Sequence, residues 1–403
     1  MRKRATDKWR RKSKRGRRRR SSSVRMDNLG PILSLLGAVL GVVAVISLVV
    51  FVVLPRVLPL LGIDYKGFGS PSPSPQTISR PSATPHPMDS FDAPSAANEV
   101  VFDGYLDYSW FADPYFFEDS LLLTGGKLLD GNAIMNTLLR YYPAERRADL
   151  IPVPLSNTHI MFPRCNENWL VYLDAKLDGG GAIMAAKLQD GTLMPPKKVK
   201  DVYTGQPQIM LDGDYIAWTD RTGTRMDKLF VCDLNSLETT TLTMFSSSPY
   251  GESLPYLYDG TLYWADTGSG TGESSVIHSI AINESTSHAY SAGTYAHDPQ
   301  GNGRYMIWLD AHHGEDTNLY YCENQGSAQK IATGVVQAGL GDKFVAYSKD
   351  QTIYAFVFDN KKTYRITSTQ ENALFLGVSE NKVIWMDVTS RERDIVKFAV
   401  LPA

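Results

Sequence analysis

Cysteine is scarce in this chain, with three residues among 403. So small and odd a number excludes the disulfide framework that holds many small secreted domains together. Cys232 and Cys322 occupy matching places in two separate copies of a repeated pattern, and we expect positions two repeats apart to lie beyond the reach of a disulfide. Both are therefore predicted to be buried free thiols that pack as small hydrophobic side chains.

Sequence signatures of catalysis and metal binding are also missing. The chain contains no Gly-x-Ser-x-Gly sequence, which positions a hydrolase nucleophile, and no calcium loop of the EF-hand type, so we assign no catalytic residue. The best local group of metal-ligand residue types is His312, His313 and Glu315, in the loop of residues 312–316. Adjacent histidines rarely reach one ion, and a ligand set needs more distant partners. We interpret this group as a solvated loop and expect no metal or other cofactor.

Charge is distributed unevenly along the chain. Residues 1–25 carry fourteen Lys or Arg against the single acid Asp7, a net charge of +13, whereas the whole chain sums to −2. Everything after residue 25 therefore carries −15. Basic clusters beside a membrane bind anionic lipid, at about 1 kcal/mol per residue. Nucleic-acid binding would call for a folded module or interleaved aromatics, which this segment lacks, so we expect lipid contact and no nucleic-acid partner.

An uncharged apolar run follows the basic segment, at residues 32–53. As a helix it would be about 33 Å long, enough to cross a hydrocarbon core of about 30 Å. We interpret residues 31–54 as an uncleaved signal anchor and residues 1–30 as a tail that stays in the cytoplasm, because basic residues flank the N-terminal end. A buried helix of a soluble protein is the alternative, but such a helix would show a polar face.

Proline and serine dominate the segment after the anchor, and we assign residues 55–97 to an extracytoplasmic stalk. Such a composition cannot build a core and favours extended polyproline geometry. A semi-rigid spacer and a disordered linker are both compatible with it. The prolines of its densest part are Pro71, Pro73, Pro75, Pro81, Pro85 and Pro87.

A short phrase recurs through the remaining residues: an aliphatic stretch, an aromatic, one spacer residue and Asp. Successive aspartates lie 46, 46 and 44 residues apart, then 77 apart across a degenerate copy. A period of roughly 40–50 residues made of short strands predicts a β-propeller. The positions that define the phrase are Asp174, Trp218, Asp220, Trp264, Asp266, Trp308, Asp310, Trp385 and Asp387.

Residues 98–403 divide into seven units of short strands joined by Asp-Gly, Gly-Asp and Asn-containing turns. Seven units of about 44 residues fit the observed spacing, whereas six would need about 51 each. We therefore predict an all-β, seven-bladed propeller, with a six-bladed ring as the alternative. The last unit ends after its third strand, and a strand at residues 100–105 is expected to supply the fourth and close the ring.

The repeated phrase is interpreted as blade construction. Strand alternation places Ile216, Trp218 and Asp220 on one face, so the Trp is expected to pack between blades and the Asp to lie at the strand end. There its carboxylate could accept backbone N–H bonds from the following turn. A catalytic residue is needed once, whereas this Asp recurs in most units, which favours a structural role.

The units resemble the PD40 repeats of TolB-type propellers. That family's pattern of Gly-Asp or Gly-Asn, an aliphatic-aromatic strand, a polar loop, an Ile/Leu-Tyr/Phe strand and a closing Leu-Thr covers about three quarters of the chain. It is matched by Gly213-Asp214-Tyr215-Ile216-Ala217-Trp218-Thr219-Asp220, Leu229-Phe230-Val231-Cys232-Asp233-Leu234 and Leu242-Thr243, and again by Gly341-Asp342-Lys343-Phe344-Val345-Ala346-Tyr347-Ser348, Ile353-Tyr354 and Ile366-Thr367. The resemblance implies the propeller fold. TolB itself is a soluble periplasmic protein with six blades and a separate N-terminal domain, in contrast to the anchored, seven-bladed chain predicted here.

Three functional hypotheses follow, one of them signalling across the membrane through the basic tail, and the sequence leaves ligand and oligomeric state open. The first is a non-catalytic, membrane-anchored binding or scaffold protein of the bacterial cell envelope, whose partner is an envelope protein or a glycan. The alternative is an enzyme acting on cell-wall or extracellular polysaccharide or on peptides. Its paired carboxylates would leave no spacing signature, because residues distant in the chain meet in space. Two or three inward carboxylates, or a His, at one channel mouth would favour the enzyme.

Overall fold

The computed structural model describes residues 98–100, 108, 110–129, 132–203, 205–221, 226–247, 253–267, 275–311, 316–368, 371–389 and 395–401. All of them belong to one compact unit, Ala83–Ala403. The basic tail, the apolar run and the stalk lie outside the described residues, as do His312, His313 and Glu315. Within the described part no helix is long and apolar enough to cross a bilayer.

Seven antiparallel sheets, called blades 1 to 7 in chain order, account for the described strands. This confirms the predicted all-β architecture and the blade count of seven, and the six-bladed alternative is wrong. In blades 1 to 6 the strands of the main sheet follow one another in chain order from the innermost to the outermost. Blades 1 to 3 contain β2 (Trp110–Phe117), β3 (Ser120–Leu129), β4 (Asn132–Tyr142) and β5 (Arg147–Ile151); then β6 (His159–Cys165), β7 (Trp169–Ala175), β8 (Gly181–Gln189), β9 (Thr192–Leu193) and β10 (Lys197–Val202); then β11 (Met210–Asp212), β12 (Tyr215–Arg221), β13 (Met226–Asp233) and β14 (Glu238–Ser246).

Blades 4 to 6 keep the four-stranded order. Blade 2 is the exception among the first six, because it has a fifth strand, the short β9, which pairs with β8 outside the order β6-β7-β8-β10. Blades 4 to 6 contain β15 (Tyr256–Tyr258), β16 (Thr261–Asp266), β17 (Val276–Ala281) and β18 (His288–Ser291); then β19 (Ala296–Gly301), β20 (Tyr305–Asp310), β21 (Asn318–Glu323) and β22 (Gln329–Thr333); then β23 (Gln337–Leu340), β24 (Phe344–Lys349), β25 (Thr352–Val357) and β26 (Lys362–Arg365).

The two ends of the propeller meet in blade 7. Its first three strands are β27 (Ala373–Ser379), β28 (Lys382–Asp387) and β29 (Ile395–Val400), and β1 (Asn98–Val100) pairs antiparallel with β29 as the fourth. The predicted closure by an N-terminal strand is therefore observed. Its described part begins two residues earlier than expected, and residues 101–105 lie outside the described residues. Such pairing satisfies an edge that would otherwise expose unpaired backbone groups.

The hydrophobic core consists of layers between neighbouring blades. Trp218 is fully buried against Ile183 and Val202 of blade 2 and stacks on Phe230 of its own blade at 5.2 Å between ring centroids. Trp264, Trp308 and Trp385 occupy equivalent layers between blades 3 and 4, 4 and 5, and 6 and 7. The repeated aromatic thus supplies the large apolar area that holds adjacent blades together.

Candidate functional site: the central channel

A cavity of about 820 Å³ lies on the inner side of the seven innermost strands. Every blade contributes to its lining, so it is the central channel of the propeller. The inner edge of each blade faces this space, and proline is confined to such edges because it has no N–H to donate to a neighbouring strand. The channel-lining strands accordingly include Pro114 and Pro299, and Pro255 directly precedes β15.

Strand register defines one ring of equivalent positions half-way along the channel wall. Each member pairs with the residue that precedes the repeated aromatic, or its equivalent, in the second strand of its blade. Tyr115 thus lies opposite Leu122, as Arg164 lies opposite Val171. We call this set the middle ring, and its seven members are Tyr115, Arg164, Met210, Tyr256, Gln300, Gly339 and Gly377.

Bulges set the direction of the middle-ring side chains in blades 1, 2 and 5. In each of these blades the register of the innermost strand shifts over a residue followed by Pro. These residues are Asp113, Phe162 and Asp298, each with φ of 50°, a left-handed conformation that is uncommon outside glycine. A bulge re-aims the residues beside it, and here those residues are Tyr115, Arg164 and Gln300.

Three carboxylates on the innermost strands connect one blade to the next. Asp113 Oδ2 accepts the N–H of Phe162 at 2.9 Å, and Asp298 Oδ1 accepts that of Leu254 at 2.7 Å. Asp212 Oδ2 accepts the N–H of Gly260 at 2.6 Å. Each bond satisfies a backbone donor of a neighbouring blade, so these three carboxylates are structural ties.

The amides of the wall behave in the same way. Gln300 donates Nε2 to the carbonyl of Ala338 at 3.0 Å and accepts the N–H of Leu340 at 2.8 Å, so both ends of its side chain are used. Asn302 donates to the carbonyl of Gly341 at 3.0 Å. In blade 2, Asn166 donates to the carbonyl of Gly213 in blade 3 at 2.7 Å.

Three polar groups of the middle ring keep free hydrogen-bonding capacity. Arg164 donates Nη1 to the carbonyl of Pro163 at 2.9 Å and lies over the Tyr115 ring at 5.0 Å, and no carboxylate of a described residue lies within ion-pair distance of it. The hydroxyls of Tyr115 and Tyr256 make no hydrogen bond to any residue that the structure describes. A guanidinium and two phenols therefore remain available to a ligand.

Burial governs the protonation of these groups. It lowers the pKa of the Arg164 guanidinium, an effect that Tyr115 and Asp113 partly offset. Burial raises the pKa of Tyr115 and of Tyr256, so both phenols stay neutral donors at physiological pH. It also raises the pKa of the Asp113 carboxyl, against the opposing effects of the Phe162 N–H and Arg164. An isolated cation is costly in such surroundings, and a bound anion would offset that cost.

Carboxylates collect at the channel mouth formed by the turns between first and second strands. Asp212, Asp342 and Glu380 line the cavity there, and all three contribute, after burial, to raising the pKa of Tyr258. Glu380 pairs with Lys382 Nζ at 3.2 Å. The side chain of Asp342 makes no contact of this kind with another described residue. Among the described residues no group of His, Cys, Asp and Glu has the arrangement of a metal site.

The sequence-predicted aspartates lie away from the channel and do not form one site. Asp174 accepts the N–H of Ser156 at 2.7 Å and of Asn157 at 3.0 Å. Asp310 accepts those of Thr294 and Tyr295 at 3.1 and 3.0 Å. The donors belong to the segment that precedes the first strand of the same blade, so our expectation of donors in the following turn is wrong for these two positions. The reason is that this segment passes over the end of the second strand.

The other three copies of the aspartate differ from one another. Asp266 accepts the N–H of Ser246 at 3.2 Å, from the end of the preceding blade. Asp387 follows the expected pattern, because it accepts the N–H of Thr389 at 3.0 Å, and it also binds Lys397 Nζ at 2.9 Å. Asp220 makes no hydrogen bond to another described residue, and burial raises its pKa. One sequence phrase therefore serves different local purposes.

Our sequence reasoning missed the middle ring. A usable signal was present, because an x-Pro-y triplet lies within three of the innermost strands and at the start of a fourth. These triplets are Asp113-Pro114-Tyr115, Phe162-Pro163-Arg164, Leu254-Pro255-Tyr256 and Asp298-Pro299-Gln300. In each, the residue after Pro is a member of the middle ring. The cysteines were predicted correctly as buried free thiols.

No protein-family model and no curated protein matches this chain. Solved β-propellers are similar to it in structure. The β-propeller domain of the trilobed protease from Pyrococcus furiosus, described as having an open velcro topology, matches with a TM-score of 0.54 at 13% identity, covering 72% of this chain and 93% of that one. The acylaminoacyl peptidase from Pyrococcus horikoshii matches with a TM-score of 0.52 at 11% identity, covering 71% of this chain and 50% of that one.

TolB from Acinetobacter baumannii is also among the structures found, with a TM-score of 0.37 at 11% identity, covering 71% of this chain and 78% of that one. Peptidases and TolB are thus both represented among the similar propellers. At such identities the likeness shows the fold alone, because propellers support many unrelated functions.

Proposed function

We propose that this protein is a non-catalytic binding module of the bacterial cell envelope, which takes a protein or glycan ligand into its central channel. The proposal rests on a difference between the acidic and the hydrogen-bond-donating side chains around the channel. Asp113, Asp212 and Asp298 are used in ties between blades, whereas Arg164 and two tyrosines are left with free donors. Such a lining suits ligand recognition. Among the described lining residues Asp342 is the one carboxylate without a hydrogen bond or ion pair, whereas general acid–base hydrolysis uses two.

The size of the channel supports the same proposal. A volume of about 820 Å³ falls within the range of sites that bind small molecules or the end of a chain. Tyr115, Phe116, Tyr256 and Tyr258 add aromatic surface to its lining, which packs well against peptide and sugar alike. We infer from the sequence that the propeller is presented outside the membrane on the stalk of residues 55–97, behind the anchor of residues 31–54.

A channel-filling substitution tests the proposal. Met210→Trp adds volume to the middle ring, and Leu150→Trp makes the same addition on the outermost strand of blade 1, where the leucine is 56% exposed. Full-length protein in lipid nanodiscs would be incubated with solubilised envelope protein and with purified envelope glycan. We expect Met210→Trp to abolish retention of a component that the unchanged protein and Leu150→Trp both retain. Equal retention by all three proteins, at matched thermal stability, would place the ligand elsewhere and refute the proposal.

An enzyme remains the second candidate, because four carboxylates, those of Glu118, Asp212, Asp342 and Glu380, line one mouth of the channel. Three of them are engaged, by Arg140, Gly260 and Lys382, which leaves Asp342 as the group best placed to act as a base. The test is release of soluble fragments from labelled cell-wall or extracellular polysaccharide, or from labelled peptides. Turnover that Asp342→Asn abolishes without changing thermal stability would establish the enzyme and overturn the binding module.

A further inference from the structure

We propose that Arg164 of the middle ring binds the free carboxylate at the C-terminus of a peptide ligand. The channel mouth then selects peptides with basic residues just before that C-terminus. The inference deepens the proposed function and rests on it. It specifies the chemistry of the ligand: a peptide C-terminus that carries Lys or Arg about two positions upstream.

The guanidinium of Arg164 is the group in the channel that we expect to bind an anion. Glu118, Asp212, Asp298, Asp342 and Glu380 line the same cavity, and Arg164 is the one Lys or Arg among the described residues that do so. None of these carboxylates forms an ion pair with it, and the buried carboxyl of Asp113, which partly offsets the fall in its pKa, also lies beyond ion-pair distance. Its planar fork of N–H donors matches a carboxylate in a bidentate arrangement. One donor is engaged by the backbone of Pro163, and the others are available.

The two tyrosines complete the pocket. Tyr115 holds the guanidinium in place through its ring, at 5.0 Å, and its hydroxyl is free to donate. Tyr256 lies in the same ring of positions, and Tyr115 contributes, after burial, to raising its pKa. Neutral phenols and a cation can each donate to a carboxylate oxygen, and none of them repels it.

The channel mouth is acidic, so it favours positive charge on the part of the peptide that lies there. Asp212 lies two residues along β11 from Met210 of the middle ring, which is about 7 Å at the rise of a β-strand. An extended peptide whose carboxylate reaches Arg164 would place its residues two or three positions upstream at this level. Asp212, Asp342 and Glu380 would face those residues, so a basic side chain is favoured there.

The same charge pattern disfavours an acidic polysaccharide. Such a polymer carries a carboxylate on successive sugars, so insertion of one carboxylate at Arg164 would bring others against the acidic mouth. Like charges brought together at close range cost binding free energy. A peptide concentrates its negative charge at one end and leaves the upstream positions to basic side chains, which fits both levels of the channel.

Calorimetric titration of the full-length protein in detergent at low salt tests the inference. The probes are N-acetylated peptides: KKAA with a free carboxylate, KKAA with an amidated end and EEAA with a free carboxylate. An oligouronide is the fourth probe. We expect KKAA acid to bind, and the amide, EEAA and the oligouronide to bind at least about tenfold more weakly, which is the loss typical of removing one charged hydrogen-bond partner.

Three variants separate recognition from stability. Arg164→Gln should weaken KKAA acid at least about tenfold and remove the difference between acid and amide. Asp342→Asn, whose side chain has no tie to another described residue, should reduce the preference for KKAA over EEAA and leave the difference between acid and amide intact. Arg147→Gln is the matched control, because Arg147 forms its ion pairs on the outermost strand of blade 1 and should have no effect on binding.

The outcomes are distinct from those of the proposed function. Equal binding of acid and amide, tighter binding of the oligouronide, or no binding of KKAA acid up to about 1 mM would each overturn the inference. Unchanged binding by an Arg164→Gln protein of normal thermal stability would overturn it as well. The proposed function would survive any of these results if the nanodisc experiment still showed retention that Met210→Trp abolishes, and its own tests are that experiment and the turnover assay.

Discussion

Replacing Asp310 by Ala should destabilise the propeller strongly, whereas the same change at Asp220 should have little effect. Asp310 is 5% exposed, and its two oxygens accept the N–H groups of Thr294 and Tyr295. Asp220 ends the same sequence phrase but makes no hydrogen bond to another described residue. The two substitutions remove the same atoms from equivalent strands, so any difference between them reports the backbone donors.

The magnitude follows from the bonds that are lost. Hydrogen bonds to a charged acceptor contribute about 1.5–3 kcal/mol each, and Asp310 accepts two. Tyr295 is 4% exposed, so water would not easily replace its lost partner. We expect Asp310→Ala to cost about 4 kcal/mol and Asp310→Asn, which keeps one acceptor oxygen, about half of that. Asp220→Ala should stay within about 1 kcal/mol.

The assay is thermal unfolding of the full-length protein in detergent, followed by tryptophan fluorescence. In a domain of this size a loss of 1 kcal/mol lowers the midpoint by about 2 °C, so Asp310→Ala should lower it by about 8 °C. A second substitution checks the geometry, because a Cβ at Gly293 would overlap Oδ2 of Asp310. Gly293→Ala should therefore destabilise the unchanged protein but cost less in the Asp310→Ala background. Equal losses for Asp220→Ala and Asp310→Ala would refute the reasoning.

Three further predictions concern the packing between blades and the closure of the propeller in blade 7. Trp218→Ala should cost about 3–5 kcal/mol in denaturant unfolding, because it opens a cavity between blades 2 and 3; a loss below about 1 kcal/mol would contradict that packing role. Thr389 and Lys397 outweigh burial and lower the pKa of Asp387, so stability measured by acid titration should be fully present above the ordinary carboxyl pKa of about 3.9 and fall as pH drops through the lowered value. Lys397→Met should reduce this acid-dependent contribution, of which the bonds from Thr389 would remain, and an unchanged titration would argue against it. Deleting residues 98–100 should lower the unfolding midpoint and promote self-association through the freed edge of β29, measurable by light scattering; a monomer of unchanged midpoint would show that closure is dispensable.

Most of the fold was predictable because each blade of a propeller is encoded by a similar short sequence pattern that recurs along the chain. Strand alternation around Trp218 and Trp264 shows which face is buried, and the spacing of the aspartates gives the size of a blade. The closing strand was predictable for a related reason: blade 7 was one strand short in the sequence. Its bounds were less accurate, because a three-residue strand carries little periodicity of its own.

The candidate site was much less predictable. Asp220 and Asp310 end the same phrase, yet their partners differ, because the donors come from a segment whose path the phrase does not encode. The His312–Glu315 loop contains residue types that bind metals, and we interpreted it as a solvated loop. It lies outside the described residues, so that interpretation stays a prediction.

The sequence by itself determined that this chain builds blades and how they close, and it favoured seven blades over six, because those properties depend on the spacing of residues along one strand and its neighbour. Only the tertiary structure decided that Arg164, Tyr115 and Tyr256 share one ring of the channel while the nearby carboxylates are occupied by neighbouring blades. The physical reason is that bulges and register at each innermost strand set which side chain reaches the axis. Those features arise when seven separate sheets meet.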